Sequence, residues 1–161
     1  MEEITTRVDF QQVVREAITT AEREGWPAMA FVDSDFAEWP LNEPALIDTL
    51  TRWALPHRRL TLVALGFDEL RRRHPRFVEW RRLWSHVVDA RSPDEDAGLT
   101  ELPTLLLGGG PQLPLSVIVT DRAHWRGRLS RDAGDAHFYR ERLDALLQRS
   151  APSFASTQLG L

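Results

Sequence analysis

The chain has 161 residues, is 42% hydrophobic and 27% charged, and carries a net charge of −4. This is the profile of one globular domain that can bury about two thirds of its unfolded surface. It has no cysteine, and all 20 of its basic residues are arginine. Those absences exclude disulfides, thiolate nucleophiles, Cys-type zinc sites, Schiff-base lysines and P-loop lysines. The negative charge argues against bulk attraction to nucleic acid and leaves only a local basic patch as a route to it.

No run reaches the roughly 18 apolar residues of a membrane span. The start, MEEITTRVDF, is polar and of mixed charge, unlike a signal peptide. A cytoplasmic protein without a membrane partner is expected.

Residues 8–24 read as an amphipathic helix. Val14, Ala17, Ile18 and Ala21 share one face, Asp9 is the expected N-cap, and Gly25 is the stop. Residues 28–32, AMAFV, form a short apolar strand ending in Asp33-Ser34-Asp35. A second helix is expected over 43–55, capped by Asn42, with Pro44 in its first turn and Pro56 ending it. The run LTLVAL at 60–65 then reads as a strand buried on both faces. Strand, helix and strand in this order make a βαβ unit, so the two strands should be parallel.

After Gly66, Asp68 is the expected cap of a short helix interrupted by Pro75. Phe77, Trp80 and Trp84 recur at helical spacing as an inward aromatic stripe, with Arg82 pointing away. Residues 87–90 read as a third strand and 92–99 as a polar loop. Beyond Leu102 the apolar runs 103–107, 115–120 and 125–129 are separated by Gly/Pro-rich turns, which predicts antiparallel pairing. The last helix is expected over 136–149, with Asp135 as N-cap and Phe138, Leu143, Leu146 and Leu147 facing inward. Residues 151–161 read as an extended tail, either packed through Phe154 and Leu159 or frayed.

Three groups of residues bear on function. The segment 71–82 is rich in arginine, and Arg72, His74, Arg76 and Arg81 are its candidate anion or nucleic-acid-backbone site. The alternative is a solvated helix face, with Glu69 and Glu79 as counter-charges. Asp33 and Asp35 at a strand end are similar to the nucleophile motif of haloacid-dehalogenase-type phosphatases. However, Phe36-Ala37-Glu38 follows them, no lysine exists, and turn chemistry explains such a pair as well. Gly108-Gly109-Gly110 lacks the ending of a phosphate loop and is expected to be a hairpin turn. The five histidines show no metal-ligand spacing and GxSxG is absent, so no metal site and no catalytic triad is assigned.

The order of elements resembles one half of a phospholipase D fold, whose signature is H-x-K-x4-D followed by Gly-Ser. The segment 114–121 takes the corresponding place, with Gly127 where the Gly-Ser would begin. Only Asp121 carries over; Pro114 stands for the histidine and Ser116 for the lysine. The chain is also similar to bacterial phospholipase-D-like domains that share a basic amphipathic helix near residues 74–82. The resemblance implies a module without the phosphohistidine chemistry, which needs that imidazole.

The expectation is therefore an α/β fold: a mixed sheet with a parallel βαβ core, antiparallel hairpin strands and helices on both faces. It comprises an N-terminal helix within 1–25, a core over 26–150 and a tail over 151–161, in one domain. No catalytic residue, metal or cofactor is assigned. A lone phospholipase-D-like half implies a homodimer or protein partner, acting by binding or assembly. The alternatives are a phosphoester hydrolase using Asp33/Asp35 or a displaced histidine, and an anion or nucleic-acid binder.

Overall fold

A computed structural model describes residues 2–55, 57–110 and 113–155. Eight strands form one mixed sheet: β1 (Glu2–Ile4), β2 (Ala28–Val32), β3 (Arg59–Val63), β4 (Val88–Pro93), β5 (Thr104–Gly110), β6 (Leu113–Asp121), β7 (Arg126–Ser130) and β8 (Ser150–Pro152). Their spatial order is β1-β7-β6-β5-β2-β3-β4-β8. β2, β3 and β4 run parallel, with Leu62 opposite Phe31 and Ala90, and every other pairing is antiparallel. The fold is thus α/β with the expected parallel core and antiparallel second half.

Strand alternation divides the core between the two faces of the sheet. On the first face Met29, Phe31, Leu60, Leu62, Leu106 and Val117 pack under α1 (Arg7–Glu24), α2 (Pro44–Ala54), α3 (Asp68–Arg73) and α4 (Pro75–Leu83). On the second, Ala30, Val32, Val63, Leu105, Leu107 and Ile118 pack under α5 (Ala133–Gln148) alone. At 1.5 Å per residue, the 16 residues of α5 reach about 24 Å. That is enough to cross most of the sheet, from β7, where Arg128 pairs with Asp135, to the end of β4, just past which Asp94 N donates to Arg149 O. Among the described residues no helix is long and apolar enough to cross a membrane.

The helix ends depart from expectation in a consistent way. Thr6, not Asp9, is the N-cap of α1, and Asp9 accepts back from Thr5 N and Oγ1 at the third helical position. Asp132 caps α5 and Asp135 sits in its first turn, bonded to Ser130 and Arg128. Asp68 opens α3 without capping it. Asn42 caps a different helix from the one that follows it, since its Oδ1 accepts from Arg76 N at 2.9 Å in the first turn of α4. Phe138 is 51% exposed rather than inward. Phe77 and Trp80 are buried as the stripe requires, while Trp84 lies just past α4 and is half-buried, stacked on Trp80. The expected stop at Pro56 and the anchor Leu159 lie outside the described residues.

The three glycines belong to β5 and not to a turn. Gly108 leaves room for Trp26, whose ring a Cβ at 108 would approach to 2.5 Å. Gly109 has a φ of +107° and would press a Cβ to 2.5 Å from the Cα of Pro114 on β6. At Gly110 a Cβ meets nothing within 4 Å. Urea midpoints should therefore rank three variants. Gly110→Ala should change stability by less than about 0.5 kcal/mol. Gly108→Ala should lose about 1–3 kcal/mol through overpacking. Gly109→Ala should lose at least as much, because backbone strain adds to the clash.

Candidate functional site

The C-terminal end of β2 is the place where the parallel and antiparallel halves of the sheet meet, since β3 flanks it on one side and β5 on the other. Asp33 stands there, 1% exposed. Its Oδ2 accepts from Phe36 N at 2.9 Å and its Oδ1 from the Thr104 hydroxyl at 2.5 Å. Arg122, just past β6, donates from Nη2 to Asp33 Oδ2 at 3.5 Å and from Nε to the Thr104 hydroxyl at 3.2 Å. The same guanidinium lies 3.9 Å from Asp35 Oδ1 and 4.1 Å above the centre of the Trp125 ring. Asp35 itself caps the turn, accepting from Ala37 N. Ser34 holds the following loop, with its Oγ accepting from Leu102 N at 2.9 Å.

This network clamps a strained residue. Phe36 has a φ of +61°, a left-handed conformation that costs a bulky side chain of order 1–3 kcal/mol. Its ring is buried against Trp39 and Phe67, its amide is held by Asp33, and its carbonyl lies 2.9 Å from His74 Nε2. A carbonyl can only accept, so Nε2 carries the hydrogen and Nδ1 is a bare acceptor. Nδ1 is buried and without a partner among the described residues. Burial pushes the imidazole below its ordinary pKa, and the bond to Phe36 O only partly offsets this.

The four arginine-helix candidates have separate environments. Arg72 is exposed and paired with Glu69 at 2.7 Å, which holds that carboxyl below its usual range. Arg76 is exposed and donates to Asn42 O. His74 is buried in the loop clamp. Arg81 is buried too, its Nε donating to Phe154 O and its guanidinium 5.6 Å from the Phe154 ring, and burial lowers its pKa. Arg73 and Arg82 are likewise engaged, with Glu69 and Glu38 for the first and Glu79 for the second.

The phospholipase-D-type positions lie along β6 and its turn. Pro114 pairs with Gly109 at one end, and Ser116, 1% exposed, with Leu107. Asp121 is at the other end of the strand, roughly 20 Å from Pro114 at strand rise. Its carboxylate faces His124, with Oδ2 2.9 Å from Nδ1 and Oδ1 accepting His124 N, and these bonds hold it below the usual carboxylate range. Gly127 lies on β7 opposite Val119 of β6, where a Cβ would collide with Ile118 O.

No protein-family model matches the sequence, and a search of curated proteins gives no match. Among solved structures the chain is similar to that of TrmBL2, an archaeal chromatin protein described as showing a novel mode of DNA binding. The TM-score is 0.63 at 10% identity, over 94% of this chain and 53% of that one. At that identity the likeness shows the fold alone, and this chain spans about half the length of TrmBL2.

Thr104 and Arg122 were not picked out in the sequence. They meet Asp33 across 71 and 89 residues, and no local pattern carries contacts of that range. Among the described residues no group of three or more metal-ligating side chains forms. Between Asp33 and Asp35, where a cation would have to sit, the Arg122 guanidinium stands instead.

His74 gives this region a pH signature. Its pKa in the folded chain lies below the ordinary 6.5, so the unfolded chain takes up the proton first. The stability that depends on neutral His74 is complete above about pH 6.5 and is lost as pH falls towards the folded value. Urea unfolding at pH 8 and pH 5.5 should show a stability difference that shrinks in His74→Gln. An unchanged difference would show that another group is responsible.

Proposed function

We propose that this chain is a phospholipase-D-like module of one domain that acts by binding or assembly, without catalysis. The observation that carries this reading is the engagement of its candidate chemistry. Both oxygens of Asp33 are held by Phe36 N, the Thr104 hydroxyl and Arg122. Asp35 caps a turn, and buried His74 fixes a carbonyl. With Pro114 and Ser116 at the nucleophile and phosphate-lysine positions, the phosphohistidine route lacks both of its groups.

Phosphomonoesters and phosphodiesters, with and without Mg²⁺, should show no turnover above background. Asp33→Ala should instead lower stability by about 2–4 kcal/mol, by stranding a buried amide and hydroxyl. Turnover abolished by Asp33→Asn in a chain that still folds would overturn the proposal. Assembly as a homodimer, in the cytoplasm, follows from the same reading. Light scattering should then give twice the 18.4 kDa chain mass, and a monomer at high concentration counts against it.

A second reading, contact with a nucleic-acid backbone, is favoured by the fold shared with DNA-binding TrmBL2. Against it stand the net charge and the pairing of Arg72, Arg73 and Arg82 with Glu69 and Glu79. Duplex DNA at 50 mM salt separates the two. Phosphate contact demands affinity that falls steeply by 200 mM, whereas the module reading expects no binding at either.

A further inference from the structure

The second face of the sheet carries one helix where the first carries four, and α5 leaves its flank open beside β2 and β5. A groove of about 410 Å³ runs there, within the range of small-molecule sites. Its floor is Val32 and Leu105, its near wall Leu143 and Leu146 of α5, and its far wall Leu102. That far wall is built rather than incidental, because Ser34 accepts from Leu102 N at 2.9 Å and fixes the loop over the strand end.

Arg142 of α5 and Arg149, its C-cap, stand on the rim seven residues apart and so on one side of the helix, about 10 Å from each other. Arg142 lies over the Phe138 ring at 5.3 Å. Among the described residues neither arginine forms an ion pair, although Arg72, Arg73 and Arg82 on the opposite face all do. Glu101 is the only carboxylate among the groove's lining residues. The rim thus has a surplus of positive charge above an apolar floor.

We propose that this groove binds a single-chain aliphatic carboxylate of medium length, with its tail on Val32 and Leu105 and its head against Arg142 or Arg149. A guanidinium presents two parallel N–H donors that match a carboxylate, and an apolar chain is the complement of the floor. The groove lies on the face of β2 opposite Asp33, so the inference stands whether or not the phospholipase-D-like reading does.

Calorimetric titration of the full chain with hexanoate, octanoate and decanoate, below their micelle-forming concentrations, tests it. Saturable one-to-one binding is expected, tightening about fourfold per added methylene. The double variant Arg142→Gln/Arg149→Gln changes exposed residues only. It should weaken decanoate at least tenfold and leave decanol unchanged. Leu146→Ala should weaken decanoate and decanol alike. Absence of saturable decanoate binding would overturn the proposal, as would loss of decanol together with decanoate in the arginine variant. Decyl phosphate binding more tightly than decanoate would overturn the carboxylate assignment.

Discussion

The arrangement depends on one buried carboxyl group. Asp33 sits where the parallel and antiparallel halves of the sheet join, and a carboxyl so placed is costly unless its oxygens are hydrogen-bonded and its charge is matched. Thr104 and Phe36 supply the bonds and Arg122 the charge. In meeting that need the group ties β2 to β5, to the turn after β6 and, through the Phe36 peptide, to His74 at the α3–α4 junction. The strained backbone of Phe36 persists because both its amide and its carbonyl are held from outside. Aromatic packing of Phe36, Trp39 and Phe10 then carries the constraint back to α1.

What was legible in the sequence follows from the range of the interactions concerned. β2 and the span of α1 were readable because apolar periodicity and an αL glycine are local signals. The parallel pairing of β2 with β3 followed from chain connectivity. β1 and β8 were missed because three residues carry no periodicity, and each exists only by pairing with a strand far away in the chain, β7 and β4 respectively. The glycine run was read as a turn because glycine in a strand looks like a break. Its reason is Trp26, some 80 residues earlier, and the backbone of the partner strand. Caps shifted by three residues at α1 and α5 because Thr-x-x-Asp and Asp-x-x-Asp each offer two oxygen acceptors, and the first of each pair is the cap.

The candidate site was half legible for a similar reason. Asp33 and Asp35 announce themselves as acids at a strand end, but whether they act on a substrate or on their own loop is decided by Thr104 and Arg122. The arginine segment failed as a unit because Pro75 divides it into two helices. Arg81 is carried into the core beneath Phe154, and Arg72 stays outside with Glu69. Count and spacing of charges cannot show how many of them have a neighbouring carboxylate.

The contrast between the two faces locates function better than the fold class does, since one fold serves many activities. On the first face, half of the six arginines of α3 and α4 pair with an acid and the polar groups around Asp33 are closed on one another. Among the described residues, Nδ1 of His74, Nη1 of Arg81 and the indole nitrogens of Trp39 and Trp80 remain buried and unmatched near that region. On the second face, a sheet eight strands wide lies under a single helix with one fully buried side chain, Leu143, and among the described residues its rim arginines form no ion pair. Interactions complete within a chain have nothing left to offer a ligand, whereas unmatched charge beside uncovered apolar surface has free energy to gain from one. The groove beneath α5, rather than the acids that first draw attention in the sequence, is where unmatched charge stands beside uncovered apolar surface.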